Sequence, residues 1–230
     1  LMATGGVRCW GCNDYGGLGD GSTSSSILTP PANDVLTDVQ AIAAGYQHTC
    51  ALTTTGGVRC WGLNENGQLG DGSVTNRLTP PTQDVLTGVQ AIAAGRYHTC
   101  ALMLTGGVRC WGLNNHGQLG DGTLIDAMNP PATDILSGVQ AITAGDSHAC
   151  AMMTTGGVQC WGSHEFGQLG YGRQAQTTPP THDLLMGVQA ISADSDTCVL
   201  MTTGGVRCWG FNGGGQLGNG ITTQLGCGSM

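Results

Sequence analysis

HTCALTTTGGVRCWGLNENGQLGDG, residues 48–72, decides the fold, because near-copies of it recur along the chain. HTCALMLTGGVRCWGLNNHGQLGDG follows at 98–122, HACAMMTTGGVQCWGSHEFGQLGYG at 148–172 and DTCVLMTTGGVRCWGFNGGGQLGNG at 196–220. A partial copy, LMATGGVRCWGCNDYGGLGDG, opens the chain at residues 1–21. The Trp residues fall at 10, 61, 111, 161 and 209, at intervals of 51, 50, 50 and 48 residues. A fixed period of about 50 residues belongs to propellers, solenoids and arrays.

Each unit reads as short strands joined by tight turns. VQAIAAG (39–45) is apolar and ends in Gly, HTCAL (48–52) alternates, and GGVRCWG (56–62) is bounded by Gly. No window carries sustained helical spacing with caps, so helices are expected to be few. In the NxxGQLGDG stretch, Asn and Gly suit tight turns. The Leu of that stretch (Leu18, Leu69, Leu119, Leu169, Leu217) reads as an inward plug. A variable loop follows and ends in Pro-Pro at 30–31, 80–81, 130–131 and 179–180, which belongs at a sheet edge or outside it. The expected fold is all-β: a β-propeller, or a segment of one, with four-stranded antiparallel blades and about four and a half repeats. It forms a single domain over residues 1–230, with repeats near 1–36, 37–86, 87–136, 137–185 and 186–230.

Composition narrows the partners. Of 230 residues, 41 are Gly and only 10% are charged; the net charge is −8, and all seven cationic residues are Arg. A phosphate backbone needs a clustered basic surface, so nucleic acid is not an expected partner. No apolar run reaches the length of a membrane span, so membrane insertion is not expected either.

Eight of the 11 Cys fall in pairs ten residues apart: Cys50/Cys60, Cys100/Cys110, Cys150/Cys160 and Cys198/Cys208. If Cys50 faces Cys60, then Ala51 faces Arg59, Leu52 faces Val58, and Thr53 to Gly57 close the turn. Opposed Cβ atoms of an antiparallel pair lie ~4.5–5.5 Å apart, or closer at non-hydrogen-bonded positions. A disulfide spans ~3.5–4.5 Å, so cross-strand bridges are the favoured reading. Small buried thiols in a reducing cell are the alternative. A metal site is a third reading, but the spacing is not zinc-like. Disulfides place the protein in an oxidising compartment: secreted, extracellular or at a cell surface.

The order AGxxHTCAL…GGVxCWGxNxxGQLGDG…PxxVxxLxxVxxI resembles the regulator of chromosome condensation repeat, particularly its Cys-containing bacterial form. The resemblance covers all but the last few residues. It implies a β-propeller, usually of seven blades. Some members of that family catalyse guanine-nucleotide exchange on a small GTPase, and that regulator role is the second alternative here. Export argues against a cytosolic GTPase partner.

The ends have their own register. Aligning Cys9 with Cys60 leaves the counterparts of Cys50 and Ala51 just upstream of Leu1. Three arrangements fit: a piece of a longer propeller, closure by an unusual borrowing of strands, or chains that complete one another's blades in a fibre or surface assembly. Cys12 and Cys227 lie outside the paired register.

No residue set calls for a catalytic site, a cofactor or a metal. His48, His98 and His148 share one repeat position and read as local hydrogen-bonding groups. Asp20, Asp71 and Asp121 read as turn caps rather than calcium ligands. A scaffold repeats its core and varies its binding surface, so positions where the units differ are the candidates for partner contact. One set is Tyr46, Gln47, Arg96, Tyr97 and Asp146; a second is Tyr15, Glu65, His116 and Phe166. Tyr and Arg suit protein recognition; neutral drift on a solvated face is the alternative. The expected function is a non-catalytic protein-interaction or scaffold module, with a protein partner or self-association through incomplete terminal blades.

Overall fold

The computed structural model describes residues 1–172 and 176–222. Its described residues form strands and turns without a helix. Four units each hold three antiparallel strands in sequence order. They are β3 (Val39–Ala44), β4 (His48–Thr53) and β5 (Val58–Gly62); β6 (Val89–Ala94), β7 (His98–Met103) and β8 (Val108–Gly112); β9 (Val139–Ala144), β10 (His148–Met153) and β11 (Val158–Gly162); and β12 (Val188–Ala193), β13 (Asp196–Met201) and β14 (Val206–Gly210). The opening unit has only a two-residue pair, β1 (Gly11–Cys12) with β2 (Ser26–Ile27).

The hairpin register is the one expected: Cys50 faces Cys60, Ala51 faces Arg59 and Leu52 faces Val58. The amides of Val58 and Gly62 point the other way, to Leu86 and Arg77. Cys60, between them, therefore faces Cys50 in a non-hydrogen-bonded pair, where side chains approach most closely. All four expected disulfides form at this position of their hairpins. They join Cys50 to Cys60, Cys100 to Cys110, Cys150 to Cys160 and Cys198 to Cys208, each with Cα atoms 4.1 Å apart. Their surroundings differ. Cys150 and Cys160 are buried in a core shared with the following unit. Cys198 and Cys208 are half-buried, and among the described residues no further strand packs over them.

In the second, third and fourth units the outer strand is reduced to two isolated bridges, such as Gly62 with Arg77 and Val58 with Leu86. Between them lie Pro80 and Pro81, which have no amide to donate, so the ladder cannot run on. The last turn of the hairpin depends on a second Gly. A Cβ on Gly57 would run into the Asp84 carboxylate, which pairs with Arg59 at 2.7 Å. Arg8–Asp34 and Arg109–Asp134 repeat this pair, and Gln159 donates to Asp183 in the fourth unit.

The cores lie between units rather than within them. Cys50, Leu52, Val58 and Leu69 of one unit pack with Val89, Ala101, Met103 and Trp111 of the next. The plug expectation holds for Leu69, Leu119 and Leu169, which are buried, while Leu217 is half-buried. Trp111 donates Nε1–H to the Gln68 carbonyl of the preceding unit at 3.1 Å, and Trp61, Trp161 and Trp209 repeat the bond. The turn after the Trp is held by a buried Asn (Asn13, Asn64, Asn114 and Asn212, with His164 in the fourth unit): Asn64 Oδ1 accepts from Leu69 N, and its amide reaches Asp71 and Ser73.

Candidate functional site

The turns between the first two strands of the four stapled units, Gly-led in all but the last, converge at one end of the blades. Gly45 is required by that convergence. A Cβ there would meet both the His48 ring and the carbonyl of Gly95 in the next unit. The turns line a cleft of about 270 Å³, with Tyr46, Arg96, Asp146 and Asp194 at its rim.

The variable side chains meet there. Arg96 lies over the Tyr46 ring at 4.9 Å and over the Tyr97 ring at 5.4 Å. The two rings meet edge to face at 5.8 Å. Tyr46 is 58% exposed, so the stack faces solvent rather than serving the core. Across the cleft, Asp146 N donates to Asp194 O, and Asp194 N to Asp196 O. Burial, and then the Asp194 charge, raise the Asp146 carboxyl above its usual range, with Arg96 partly offsetting them. Asp196 is raised by burial first and by Asp194 as well. The cleft therefore offers a cation held between aromatic rings on one side and crowded carboxylates on the other. That arrangement suits recognition of a polar, charged partner surface.

Of the first candidate set, Tyr46, Arg96, Tyr97 and Asp146 come together here. Gln47 turns to the neighbouring trough on the side of the first unit, and its carbonyl accepts from Leu63 N. Tyr15, Glu65, His116 and Phe166 do not line the cleft. They sit in the turns after the third strand, where Gln118 Oε1 accepts from His116 N and Gln168 Oε1 from Phe166 N. Phe166 also packs edge to face on Phe211 at 5.0 Å. The bridged cysteines stand apart from the cleft as well. From Cys50 and Cys60 through Cys198 and Cys208, none lines it, so their part is to hold the hairpins that carry the turns.

The histidines have a different task from the one the sequence allowed. His48 and His148 reach across to the next unit rather than bonding locally. His48 Nε2 lies 3.1 Å from Thr99 Oγ1, and His148 Nε2 lies 2.9 Å from Thr197 Oγ1. Thr99 and Thr197 in turn donate to the Gln68 and Gln168 carbonyls that receive the Trp indoles. One carbonyl thus gathers a Trp and a Thr from the following unit, and a His caps the Thr. The repeat at Thr49, Thr99 and Thr197 was the available signal, because Ala149 breaks it and His98 has no partner on either ring nitrogen. Asp20, Asp71 and Asp121 are turn caps, accepting from the amides of Ser22, Ser73 and Thr123. Among the described residues, no group of three His, Cys, Asp or Glu is placed to hold a metal ion. Cys9 and Cys12 are free thiols, and Cys227 lies outside the described residues.

Stapled repeat units that share cores only with their neighbours and gather variable loops at one end define a protein of the β-propeller class. The chain belongs to the RCC1-like domain family, whose model matches residues 1–226. It is 43% identical over 70 residues to the ultraviolet-B receptor UVR8 of Arabidopsis thaliana, covering 30% of this chain and 16% of the receptor. It is 42% identical over 79 residues to the probable E3 ubiquitin-protein ligase HERC4 of Homo sapiens, covering 34% of this chain and 8% of the ligase. Human WBSCR16 superposes with a TM-score of 0.81 at 24% identity, over 98% of this chain and 62% of the other. Yeast RCC1 (Prp20), in a crystal structure bound to Kap60, gives 0.81 at 23% identity over 96% and 56%. At such identity the structural likeness is one of fold, and the chain spans little more than half of these propellers.

Proposed function

We propose that this chain is a non-catalytic protein-interaction module that grips its partner through the loop cleft at Tyr46, Arg96, Tyr97 and Asp146. The convergence of variable residues from separate units onto one exposed, aromatic and charged cleft carries this reading. The core positions around it repeat; these do not. Relatives point the same way at the level of class, since yeast RCC1 is bound to Kap60. We further propose export to an oxidising setting, supported by four disulfides in register. Exchange on a small GTPase is less favoured, because a reducing compartment would open those bridges. A fibre of mutually completing chains is also less favoured, because all four Cys-bearing second strands are already paired and bridged within one chain.

The test is affinity capture from the natural extracellular material with the wild type and with R96A/Y97A, whose side chains serve no core. Expected is a protein retained by the wild type and lost, by roughly tenfold or more in affinity, with the variant. Equal retention by both would remove the cleft from the reading. Intact mass of natural material with and without reductant tests the compartment: a gain of eight protons at these Cys on reduction supports export, and thiols already free refute it.

A further inference from the structure

A second hollow lies at the outer side of the blades and shares no residue with the loop cleft. All its lining comes from the second and third units, and it encloses about 390 Å³. Clefts that take small ligands start at about 300 Å³. Cys60, Pro81 and Val85 give it an apolar side. Its polar side is built on Asp71, which is held by Asn64 and Ser73 and accepts from Arg77 Nε at 2.5 Å. That bond fixes the guanidinium and leaves its terminal amino groups without a partner among the described residues. Thr82, Gln83 and Asn129 line the same hollow, and among the described residues their side chains are likewise unbonded.

The other units show what closes this hollow. The position of Val85 is taken by Val35 in the first unit, Ile135 in the third and Leu184 in the fourth. The longer side chains reach over the Gly of their own turn: a Cβ on Gly120 would meet Ile135 Cδ1, and one on Gly170 would meet Leu184 Cδ2. The three atoms nearest to a Cβ on Gly70 all belong to Trp111 instead. The fourth unit also replaces Asp71 by Tyr171, whose hydroxyl crosses to the carbonyls of Val158 at 3.4 Å and His182 at 3.3 Å. The position of Arg77 is Ile27, Ala127 and Gln176 in the first, third and fourth units. The second unit thus joins the short Val to an oriented Arg, which those three do not.

Both carboxylates at the hollow are matched, Asp71 by Arg77 and Asp84 by Arg59. It therefore offers many donors and acceptors but no unmatched charge. A simple ion gains little there, whereas a ligand whose neighbouring groups each donate and accept gains most. We propose that this hollow binds a neutral sugar residue at the end of a glycan chain. Its adjacent hydroxyls bond the Arg77 amino groups and the amides of Gln83 and Asn129, and its C–H face lies on Pro81 and Val85. The site does not depend on the reading of the loop cleft.

The test is saturation-transfer NMR on the full chain with the methyl glycosides of glucose, galactose, mannose and N-acetylglucosamine. Sodium acetate and the free reducing sugars are run alongside. Expected is millimolar binding of at least one glycoside to the wild type. V85L and V85I insert side chains that the fourth and third units already hold, so both should keep the wild-type urea midpoint. Each should weaken the glycoside by roughly tenfold or more. R77A, an exposed position outside the core, should weaken it by about tenfold through loss of charge-assisted bonds. V35L, the same change in the first unit, should leave binding unaltered. The proposal is overturned by no glycoside binding, by acetate bound in preference, or by free sugars bound without any methyl glycoside. Equal binding by the wild type, V85L and R77A would overturn it as well.

Discussion

His98 is a buried imidazole with neither nitrogen bonded, and the cause is one residue away in the repeat. Where Thr99 and Thr197 serve His48 and His148, the fourth unit presents Ala149 to His98. The Gln118 carbonyl loses a donor for the same reason and keeps only the Trp161 indole. Replacing Ala149 by Thr restores both bonds in a geometry that two other interfaces already hold. A buried neutral hydrogen bond is worth about 1 kcal/mol net, and an unsatisfied buried group costs about 1–3 kcal/mol. A149T should therefore raise stability by about 1–2 kcal/mol, read as a higher urea midpoint with the slope unchanged. A loss of stability would mean that the pocket has no room for the hydroxyl and methyl, and that the repeat is not interchangeable at this interface.

At the scale of the element, the hairpin is a staple that fixes register. Cys100 and Cys110 stand ten residues apart and close a short loop, for which the loss of unfolded-chain entropy is worth about 3 kcal/mol. The double variant C100S/C110S should cost about that much, and it places two hydroxyls in a dry inter-unit core. Dithiothreitol on the wild type should lower the thermal midpoint in the same direction; a chain indifferent to both would leave the bridges without a structural role. This hairpin was legible in the sequence residue by residue. Cys50, Arg59 and Val58 face the partners that period-two alternation assigns them, because a one-residue slip would turn every apolar side chain to the wrong face. The same spacing sufficed for Cys160 and Cys208, although Gln159 replaces Arg in one hairpin and an Asp heads the strand of the other. The outer strand was less legible. Its Pro-Pro step was visible, but not that pairing would survive only at Arg77 and Leu86. The loop cleft was half legible: the differing positions marked Tyr46, Arg96 and Asp146, and nothing in the chain order separated them from Glu65 or His116. That separation depends on which turns face the shared cleft, a property of how the units pack on one another. The inter-unit His–Thr bonds were missed for a related reason, since partners about 50 residues apart belong to different copies of one pattern.

At the scale of the whole molecule, those same histidines make the joints between units sensitive to acid. Burial pushes His48 down to about 3, with the His98 charge adding to it. His148 falls to about 3 for the same two reasons in the same order. Burial lowers His98 to about 4, although the nearby His148 backbone, outside bonding geometry, offsets part of the shift. An unfolded histidine titrates near 6.5, so below that pH the unfolded chain binds protons that the folded chain refuses. The stability these groups confer is complete above about pH 7 and is lost as pH falls from 6.5 toward 4, at about 1 kcal/mol per pH unit for each. Asp146 and Asp196 act with the opposite sign, because their raised folded values favour the folded chain as they protonate; they soften the slope but do not carry the inter-unit bonds. Because each unit is held only by its neighbours, protonation at one joint removes the support of the next. Urea midpoints at pH 8, 6.5, 5.5 and 4.5 should be level across the first interval and then fall steeply. H98Q should shallow the fall by about one proton, a third of the histidine contribution. A curve flat to pH 4.5, or a slope unchanged in H98Q, would show that the buried imidazoles are not what couples the units.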